Sequence, residues 1–566
     1  MPLLLLPYGL LINSKIHKRM TRIIKKLSII ILLLTSFLAQ AQINQFEWGT
    51  EVGISGFGVT VNNSKLIGTD TAGNVYISNT FNGTTLTVGD TTYTGLGGAA
   101  VKMFTAKIDE NGHTEWMRMT IGQGGNVPQP NGLIVDSNGD CYIVGNAFGN
   151  TIIYDGTTIS GSATSSNFAL KINSNGNLDW GTMIAGQSTS PDIMSIDLHN
   201  KGLRIGGNAG IFYTKLDAQT GALLFQYPTS SPLDAHHITT DNQGNNYMLD
   251  YDGNDQPFVI GGFAYTPLPP SFGAGMSSMI VKQDSSANTM WVKQFETEDF
   301  TILGMDVDNN GSLYVLGVAL DSVQLDSNTA INDYVPNNKD YFIAKFDQNL
   351  QVIWYKLLGG IAANTNSPWG YDSFLELDPA GNAYVAVSVS SNQWIGNSQL
   401  IVPNNDVTSA VMKLAPNGDI VWVKSVKGYS NGPLGLTISP KGVFLYGSVE
   451  DGSVIFNNKT ITAATNAPIG FVTRLSNSSA TNSVKGLVFY DSNANGSLDT
   501  SEAGMPNRLV NFNNDFYKST DNQGYFTSYL PEGTHTVSPG LPKYWEHTTQ
   551  DTTFAFSKPW RILPGL

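Results

Sequence analysis

The chain has 566 residues, of which 45 are acidic and 31 basic, and its formal net charge is −14. Nucleic acids bind to basic surfaces, so this balance excludes a nucleic acid as the expected partner. The single cysteine, Cys141, excludes an internal disulfide bond. It opens a short apolar run after a turn, where we expect a buried thiol without a catalytic role.

The first 41 residues have the order of a secretory signal peptide. Lys25 and Lys26 precede an apolar run at residues 27–38, which the cleavage motif Ala39-Gln40-Ala41 follows. This run is shorter than the roughly 20 residues that span a bilayer, so we expect its removal, with Met20 as the true start. No second long apolar run follows, which predicts a mature chain without a transmembrane segment. Removal lowers the net charge to about −20, which suits a secreted or cell-surface protein.

Two short patterns alternate along the chain between about residues 60 and 477. The first is Asp-x-x-Gly-Asn-x-Tyr, in which the aspartate accepts backbone N–H bonds at a tight turn and the glycine supplies a left-handed conformation. Copies begin at Asp70, Asp136, Asp241, Asp308 and Asp378, and weaker copies begin at Asp197 and Ser439.

The second pattern is Lys-x-(Asp/Asn)-x-x-Gly-x-x-x-Trp, and it also marks a hairpin. Alternating apolar runs flank both patterns, so each repeat of about 60 to 70 residues contains four short strands. Repeats of four antiparallel strands predict a β-propeller. The copies end at Trp116, Trp180, Trp291, Trp354 and Trp422, and a variant that opens at Lys215 ends at Phe225.

The aromatic series predicts seven blades. Trp48 has no lysine-type strand before it, whereas the last such strand, at residues 471–475, has no tryptophan after it. We therefore expect a strand at residues 46–51 to complete the last sheet and close the ring without exposed edges. The predicted fold class is all-β: a seven-bladed β-propeller of four-stranded antiparallel blades over residues 42–477, followed by a small β-sandwich in a monomeric protein.

These turn and packing residues resemble the bacterial β-propeller repeats called SBBP repeats. The segment from Leu216 to Gly221, with Asp217, also has a fainter likeness to quinoprotein repeats. The resemblance covers about three quarters of the chain and implies the propeller architecture. It implies no activity, because the shared residues serve turns and packing.

After a polar linker at residues 478–483, a predicted strand runs into a loop with the EF-hand calcium pattern. Oxygen-bearing side chains stand at loop positions 1, 3, 5, 9 and 12, a backbone carbonyl at position 7, and Gly496 at the sharp turn of position 6. The alternative is a solvated Asn/Gly loop without a metal. The predicted Ca²⁺ ligands are Asp491, Asn493, Asn495, Ser497, Asp499 and Glu502.

Strand and turn patterns continue at residues 504–512, 520–526 and 530–537. With the calcium loop they resemble the SdrD B-like, collagen-adhesin B-type domain of bacterial surface proteins. The resemblance implies a calcium-stiffened β-sandwich over residues 484–545 that acts as a rigid stalk. Residues 546–566 match no sorting module, and we expect this tail to be truncated.

The candidate catalytic residues do not form a set. His236 and His237 are adjacent and point to opposite faces of a strand, so they cannot share one metal. The turn aspartates recur in nearly every blade, which indicates a structural role. Trp369, Tyr371 and Trp394 lie in loops, where they stack on sugars or pack between blades. The sequence contains no P-loop, HExxH or paired CxxC motif.

Three functions fit these observations. The favoured expectation is an extracellular or cell-surface binding or adhesion protein, not an enzyme, whose propeller binds a glycan or protein ligand. The first alternative is a secreted glycan-active hydrolase or lyase, although the spacing from Gly112 to Trp116 departs from the sialidase Asp-box. The second alternative is a structural spacer.

Overall fold

The structure is a computed structural model. It describes residues 25–33, 42–53, 65–94, 101–125, 127–162, 165–185, 193–207, 213–226, 235–252, 258–265, 277–295, 300–319, 322–332, 340–360, 373–389, 393–395, 398–400, 408–428, 432–449, 452–456, 459–464, 468–478, 482–512, 516–530, 533–539, 545–547 and 552–556.

Six blades are each built from one continuous stretch of chain, and we number them 1 to 6 in chain order. In each blade the first strand is innermost, and four antiparallel strands follow one another across the sheet in chain order. Blade 1 contains Ile67–Thr69, Val75–Phe81, Lys102–Ile108 and Thr114–Gly122; blade 2 contains Gln129–Val135, Cys141–Asn146, Ser165–Ile172 and Leu178–Ala185; blade 3 contains Ile193–His199, Gly202–Gly207, Tyr213–Asp217 and Leu223–Gln226. Blade 4 contains His237–Thr240, Asn246–Asp252, Ser277–Gln283 and Thr289–Gln294; blade 5 contains Phe300–Val307, Leu313–Ala319, Asp340–Phe346 and Val352–Gly360; blade 6 contains Ser373–Leu377, Ala383–Val389, Thr408–Leu414 and Ile420–Ser425.

A further sheet, the composite blade, combines the two ends of the propeller. Its inner strands are Gly432–Ser439, Gly442–Val449 and Ile469–Ser478, and its outer strand is Gln42–Gly53 from the start of the chain. Phe46 pairs with Leu475 and Glu51 with Phe471, which confirms the predicted pairing of these segments. The β-propeller of antiparallel sheets predicted from the sequence is therefore present, but the described chain shows six blades of the predicted continuous kind and not seven.

The two repeated sequence patterns meet inside each blade as a ladder of three side chains. In blade 5, Tyr314 lies opposite Lys345, which lies opposite Trp354. The Lys345 ammonium lies 4.7 Å from the centroid of the Tyr314 ring and 3.0 Å from Oδ2 of the turn residue Asp308. The tyrosine and tryptophan rings meet edge to face at 5.8 Å. Cation–π and ring contacts of this kind account for the Tyr, Lys and Trp of the repeat.

Each ladder also reaches the next blade through its tryptophan. Trp116 of blade 1 donates its indole N–H to the carbonyl of Ser174, in the turn before the outer strand of blade 2. The same bond joins Trp48 to Glu110. A Cβ added to the turn glycine Gly176 would lie 2.9 Å from the Trp116 ring. Trp180 and Trp354 make equivalent bonds to Ala218 and Pro416, and Gly112, Gly221 and Gly418 are the equivalent glycines.

This packing makes a testable distinction between two left-handed glycines. Gly176 has φ +83° and contacts Trp116, whereas Gly156 has φ +86° with nothing within 4 Å of an added Cβ. Gly156→Ala is expected to cost about 1 to 2 kcal/mol of unfolding free energy, the backbone strain alone. Gly176→Ala adds overpacking of about 1 to 3 kcal/mol. Urea denaturation of both variants checks this, and equal losses would contradict the proposed contact.

The hydrophobic core lies between blades, and each described cluster joins residues of neighbouring blades. Trp116 and Trp422 are buried, at 9% and 5% exposure. Trp180 and Trp354 are half-buried and pack against the core clusters of their neighbouring blades. Their rings seal the outer rim, where water reaches one side. Cys141 is buried as expected, and burial raises the pKa of its thiol.

The described chain contains six additional hairpins that the four-strand repeat did not predict. Each of them lies between the second and third strands of its blade. We call them crossing hairpins, because three of them pair with the preceding blade or its continuation. Thr120 pairs with Tyr154, Val52 with Val88, and Lys427 with Ile455. Their strands are Leu86–Val88 and Thr91–Tyr93, Thr151–Tyr154 and Thr157–Ser160, Phe258–Ile260 and Phe263–Tyr265, Ser322–Gln324 and Ala330–Asn332, Gln393–Ile395 and Ser398–Leu400, and Ser453–Phe456 and Lys459–Thr462, with Lys427–Gly428 beside the last.

The C-terminal strands are divided between two sheets, which differs from the separate β-sandwich expected. In one sheet, Phe516–Ser519 pairs with the outer strand of blade 6 and Trp422 lies opposite Lys518. Burial and the nearby Lys413 lower the pKa of Lys518 to about 8. Leu509–Phe512, Gly533–Pro539 and Thr552–Phe556 extend this sheet, whereas Asn482–Tyr490, Tyr525–Leu530 and Trp545–His547 form the other one.

One strand falls within the predicted signal peptide. Lys25–Leu33 lies between Asn482–Tyr490 and Trp545–His547 in the second C-terminal sheet. The other residues of the predicted signal peptide, including Met20, lie outside the described residues. In the part of the chain that the structure describes, no helix has the length and apolar character needed to cross a membrane.

Candidate functional site

The predicted calcium loop closes on the carboxylate of Asp499. Oδ2 of this residue accepts the side-chain amides of Asn493 at 2.6 Å and Asn495 at 2.8 Å. Asp491 accepts the backbone N–H groups of Asn495 and Gly496, and Gly496 has φ +75°. The six predicted ligand positions therefore form one compact loop, in which the glycine turn has the expected left-handed conformation.

Glu502 holds the two ends of this loop together. Its Oε1 accepts the N–H of Ser492 at 2.7 Å and its Oε2 accepts the N–H of Asp499 at 3.1 Å. No three carboxylate, imidazole or thiolate side chains among the described residues are placed to share a metal, the loop included. The oxygen donors nevertheless fit Ca²⁺ in type and order. Binding requires the side-chain amides of Asn493 and Asn495 to rotate, so that their oxygens and the Asp499 carboxylate face the same ion.

A second polar group lies at the innermost strands, where sequence reasoning predicted none. Asp306 and Glu376 each stand two residues before the turn aspartate of their blade, opposite the ladder tyrosine of the second strand. Asp197 holds the equivalent register position in blade 3, opposite Arg204. The Lys65 ammonium pairs with Glu376, although blade 1 and blade 6 are separated by the composite blade. We call Lys65, Asp197, His237, Asp306 and Glu376 the axial cluster.

Asp197 was assigned from the sequence to a weak copy of the turn pattern, and this assignment was wrong. The turn of blade 3 is Asn200-Lys201, and both residues have positive φ, at 45° and 61°. This is the two-residue hairpin turn whose twist matches that of the strands. Asp197 instead lies within the ladder of blade 3, opposite Arg204. The carboxylate is thus free from turn formation and faces the axial cluster.

Burial perturbs the charged groups of the axial cluster. Desolvation raises the pKa of Asp306 to about 6, even though Val307, Leu377 and Thr239 donate hydrogen bonds to its carboxylate. Desolvation also raises the pKa of Asp197. The pKa of Lys65 falls to about 8, because burial outweighs the attraction of the nearby carboxylates.

Three atoms in this cluster are buried without a hydrogen-bond partner. They are Oδ2 of Asp197, Oε2 of Glu376 and Nδ1 of His237. Burial lowers the pKa of His237 to about 4, so its ring is neutral at physiological pH. The side chains of Lys65 and Glu376 keep 31% and 17% of their surface exposed, which connects the cluster to solvent.

A third candidate is an open groove of about 460 Å³ between the composite blade and blade 1. Aromatic, charged and amide side chains face it, the composition that recognises polar ligands such as sugars and peptides. Asn111, His113 and Lys459 are exposed at its rim. The groove is lined by Glu47, Trp48, Asp90, Asn111, His113 and Lys459, together with Phe456 and the backbone near Gly112.

The remaining sequence candidates have structural or undescribed positions. Turn aspartates such as Asp378 accept backbone N–H bonds within their own turns, as predicted. His237 begins the inner strand of blade 4, whereas His236 precedes it. Trp369 and Tyr371 lie outside the described residues, as does the side chain of Trp394.

Comparisons with known proteins add no family to this description. No protein-family model matches the chain, and no curated protein matches it. Among solved structures, the chain is similar to a luciferin-regenerating enzyme, with 12% identity, 61% of this chain and 91% of that chain covered, and a TM-score of 0.31. It is also similar to YCF48 bound to D1 peptide, with 10% identity, 75% and 98% coverage and a TM-score of 0.32. A Synechocystis ACO mutant matches with 11% identity, 74% and 91% coverage and a TM-score of 0.35.

Proposed function

We propose that this protein is an extracellular or cell-surface binding protein that recognises a glycan or protein through its propeller. The groove beside Trp48 supports this proposal, because it combines aromatic and hydrogen-bonding side chains at an open, concave surface. The charged residues of the repeats support it as well. They are used for turns and ladders inside the blades, as Asp308 and Lys345 are, which favours a scaffold with a binding surface over repeated catalysis.

Several finer assignments belong to this proposal. We propose that the composite blade is the seventh of the ring, because the inner strands contact one another in a closed cycle. The propeller over residues 42–477 would belong to the SBBP type, and residues 484–545 to an SdrD B-like module. Residues 1–41 would be a signal peptide that directs a monomeric protein out of the cell.

The binding proposal is tested on the full chain with a glycan array and a turnover assay on the same polysaccharides. We expect saturable binding without products. Asn111→Ala and Lys459→Ala remove exposed groove side chains, so each should weaken binding about tenfold, whereas Asn138→Ala in blade 2 should not. Equal binding by all three variants would exclude the groove.

A glycan-active hydrolase or lyase is the second candidate, and one observation favours it. The raised pKa of Asp306, about 6, keeps part of its carboxyl group protonated near neutral pH, as a general acid requires. Products in the turnover assay would replace the binding proposal with this one. Neither binding nor products would support the structural spacer.

We also propose that the loop from Asp491 to Glu502 binds calcium and stiffens the C-terminal strands. Three carboxylates indicate a Kd on the order of 0.1 to 1 mM, as in extracellular modules. At about 2 mM calcium the tighter value stabilises the folded state by roughly 1.8 kcal/mol. The support is the ordered set of oxygen donors around Asp499.

Calcium binding is tested by the rise in melting temperature that calcium produces in the full chain. The full chain is needed because Phe516–Ser519 pairs with blade 6. Glu502→Gln is expected to abolish the rise, since it removes the bidentate charge while keeping the side-chain shape. Ser497→Ala is the matched control, because Ser497 would bind through its backbone carbonyl. The proposal is refuted if wild type shows no calcium-dependent rise or if Glu502→Gln retains it.

A further inference from the structure

The axial cluster has more hydrogen-bond acceptors than the protein satisfies. Oδ2 of Asp197 and Oε2 of Glu376 are both buried and have no donor, and Nδ1 of His237 also has no partner. A buried polar atom without a hydrogen bond is destabilising, and an ionised carboxylate oxygen is especially so. Carboxylates accept hydrogen bonds and cannot donate them when ionised, so the missing partner is a donor.

The charges of the cluster also favour a ligand that donates hydrogen bonds. Three carboxylates, Asp197, Asp306 and Glu376, surround one pairing cation, Lys65. The guanidinium of Arg204 is near Asp197, but it donates to Asn246 and to backbone carbonyls. A ligand that brings positive charge would therefore offset the surplus of negative charge in a partly desolvated site.

The geometry favours an organic cation over a metal ion. No three metal-ligating side chains in the described part of the cluster are close enough to bind one ion together. An ammonium group has three N–H donors. Its nitrogen lies about 2.8 Å from each acceptor oxygen, farther than a metal ion lies from its oxygen ligands, so it can donate to oxygens that are too far apart to bind one metal ion. Lys65 already gives one example, because its ammonium crosses between blades to pair with Glu376.

We propose that the axial cluster binds a small primary amine, whose ammonium group donates hydrogen bonds to Asp197 and Glu376. This site is separate from the groove beside Trp48, and the proposal goes beyond the proposed function. Solvent reaches the cluster past the partly exposed side chains of Lys65 and Glu376.

The probe is ethanolamine, titrated into the full chain by calorimetry at low salt, with ethylene glycol as its neutral counterpart. We expect saturable binding of ethanolamine only. Asp197→Asn and Glu376→Gln keep the side-chain shape and should each weaken binding about tenfold to hundredfold, as the loss of a charged hydrogen bond predicts. Asp347→Asn, which removes a charge from a turn of blade 5, is the matched control and should not change affinity.

A variant with the opposite effect separates binding from misfolding. Lys65→Met removes the internal ammonium that competes for Glu376, so it should bind ethanolamine about tenfold more tightly than wild type. A damaged fold would not gain affinity. Absence of ethanolamine binding, equal binding of ethylene glycol, or weaker binding by Lys65→Met would each overturn the proposal. None of these results bears on the groove variants, so the two proposals fail independently.

Discussion

Deletion of residues 42–53 is expected to abolish cooperative unfolding of the propeller. The deleted strand supplies the outer edge of the composite blade and buries Phe46 and Val52, at 4% and 0% exposure. Loss of one buried aromatic and one buried aliphatic side chain costs about 4 to 8 kcal/mol together, which approaches the total stability of a typical domain. Closure of the ring is lost at the same time.

The contacts that this strand makes across the closure add to the effect. Trp48 donates to Glu110 at 3.0 Å and Thr50 to Gly112 at 2.6 Å, so the strand ties the composite blade to blade 1. Its removal also uncovers a sheet edge at Ile469–Ser478, which invites aggregation.

Urea unfolding followed by circular dichroism and tryptophan fluorescence measures the result, and size-exclusion chromatography detects aggregates. Phe46→Ala is the comparison, because it should cost about 3 to 5 kcal/mol and still unfold in one transition. A synthetic peptide of residues 42–53 should restore cooperativity to the deleted chain. A deletion variant with the midpoint and slope of the parent would contradict the closure.

Closure was predictable because it depends on a mismatch within the repeat itself. The strand that contains Trp48 lacks an inner partner in the sequence pattern, and the strand that contains Phe471 lacks an outer one. The two strands were therefore predicted to pair, and they do. The Tyr, Lys and Trp positions were likewise visible, since one ladder recurs in several blades. Repetition converts weak local signals into a topology.

The crossing hairpins were missed although their sequences also recur. Segments such as Leu86–Val88 with Thr91–Tyr93 alternate apolar and polar residues around a two-residue turn. They were too short to separate from loop sequence, and their partners lie in the preceding blade. When a strand pairs with a neighbouring repeat, the sequence of its own repeat does not contain the partner strand.

The axial cluster was missed for the opposite reason: it depends on differences between blades. The position two residues before each turn holds Gly68, Ile134, Thr239, Thr437 or an acid, depending on the blade. The turn pattern hides this position, and only the ring brings the acids together. The sequence pattern of the proposed calcium loop, by contrast, is local, so no tertiary contact was needed to find it.

Trp116→Ala is expected to destabilise the protein by about 3 to 5 kcal/mol, more than Trp354→Ala. The ring is 9% exposed, lies 6.0 Å from the Tyr76 ring and covers Gly176 of blade 2. Its truncation leaves a cavity between two blades. Trp354→Ala should cost less, because that indole is only half-buried.

A conservative variant divides this loss into two parts. Trp116→Phe keeps most of the ring contact and removes the N–H that bonds to the Ser174 carbonyl at 3.0 Å. It should therefore cost about 1 kcal/mol for the bond, plus a smaller packing loss. Urea denaturation of the three variants should find Trp116→Ala the least stable, below both Trp354→Ala and Trp116→Phe. If Trp116→Phe were as damaging as Trp116→Ala, the hydrogen bond between blades, and not the packing of the ring on Gly176, would be the main contribution of this residue.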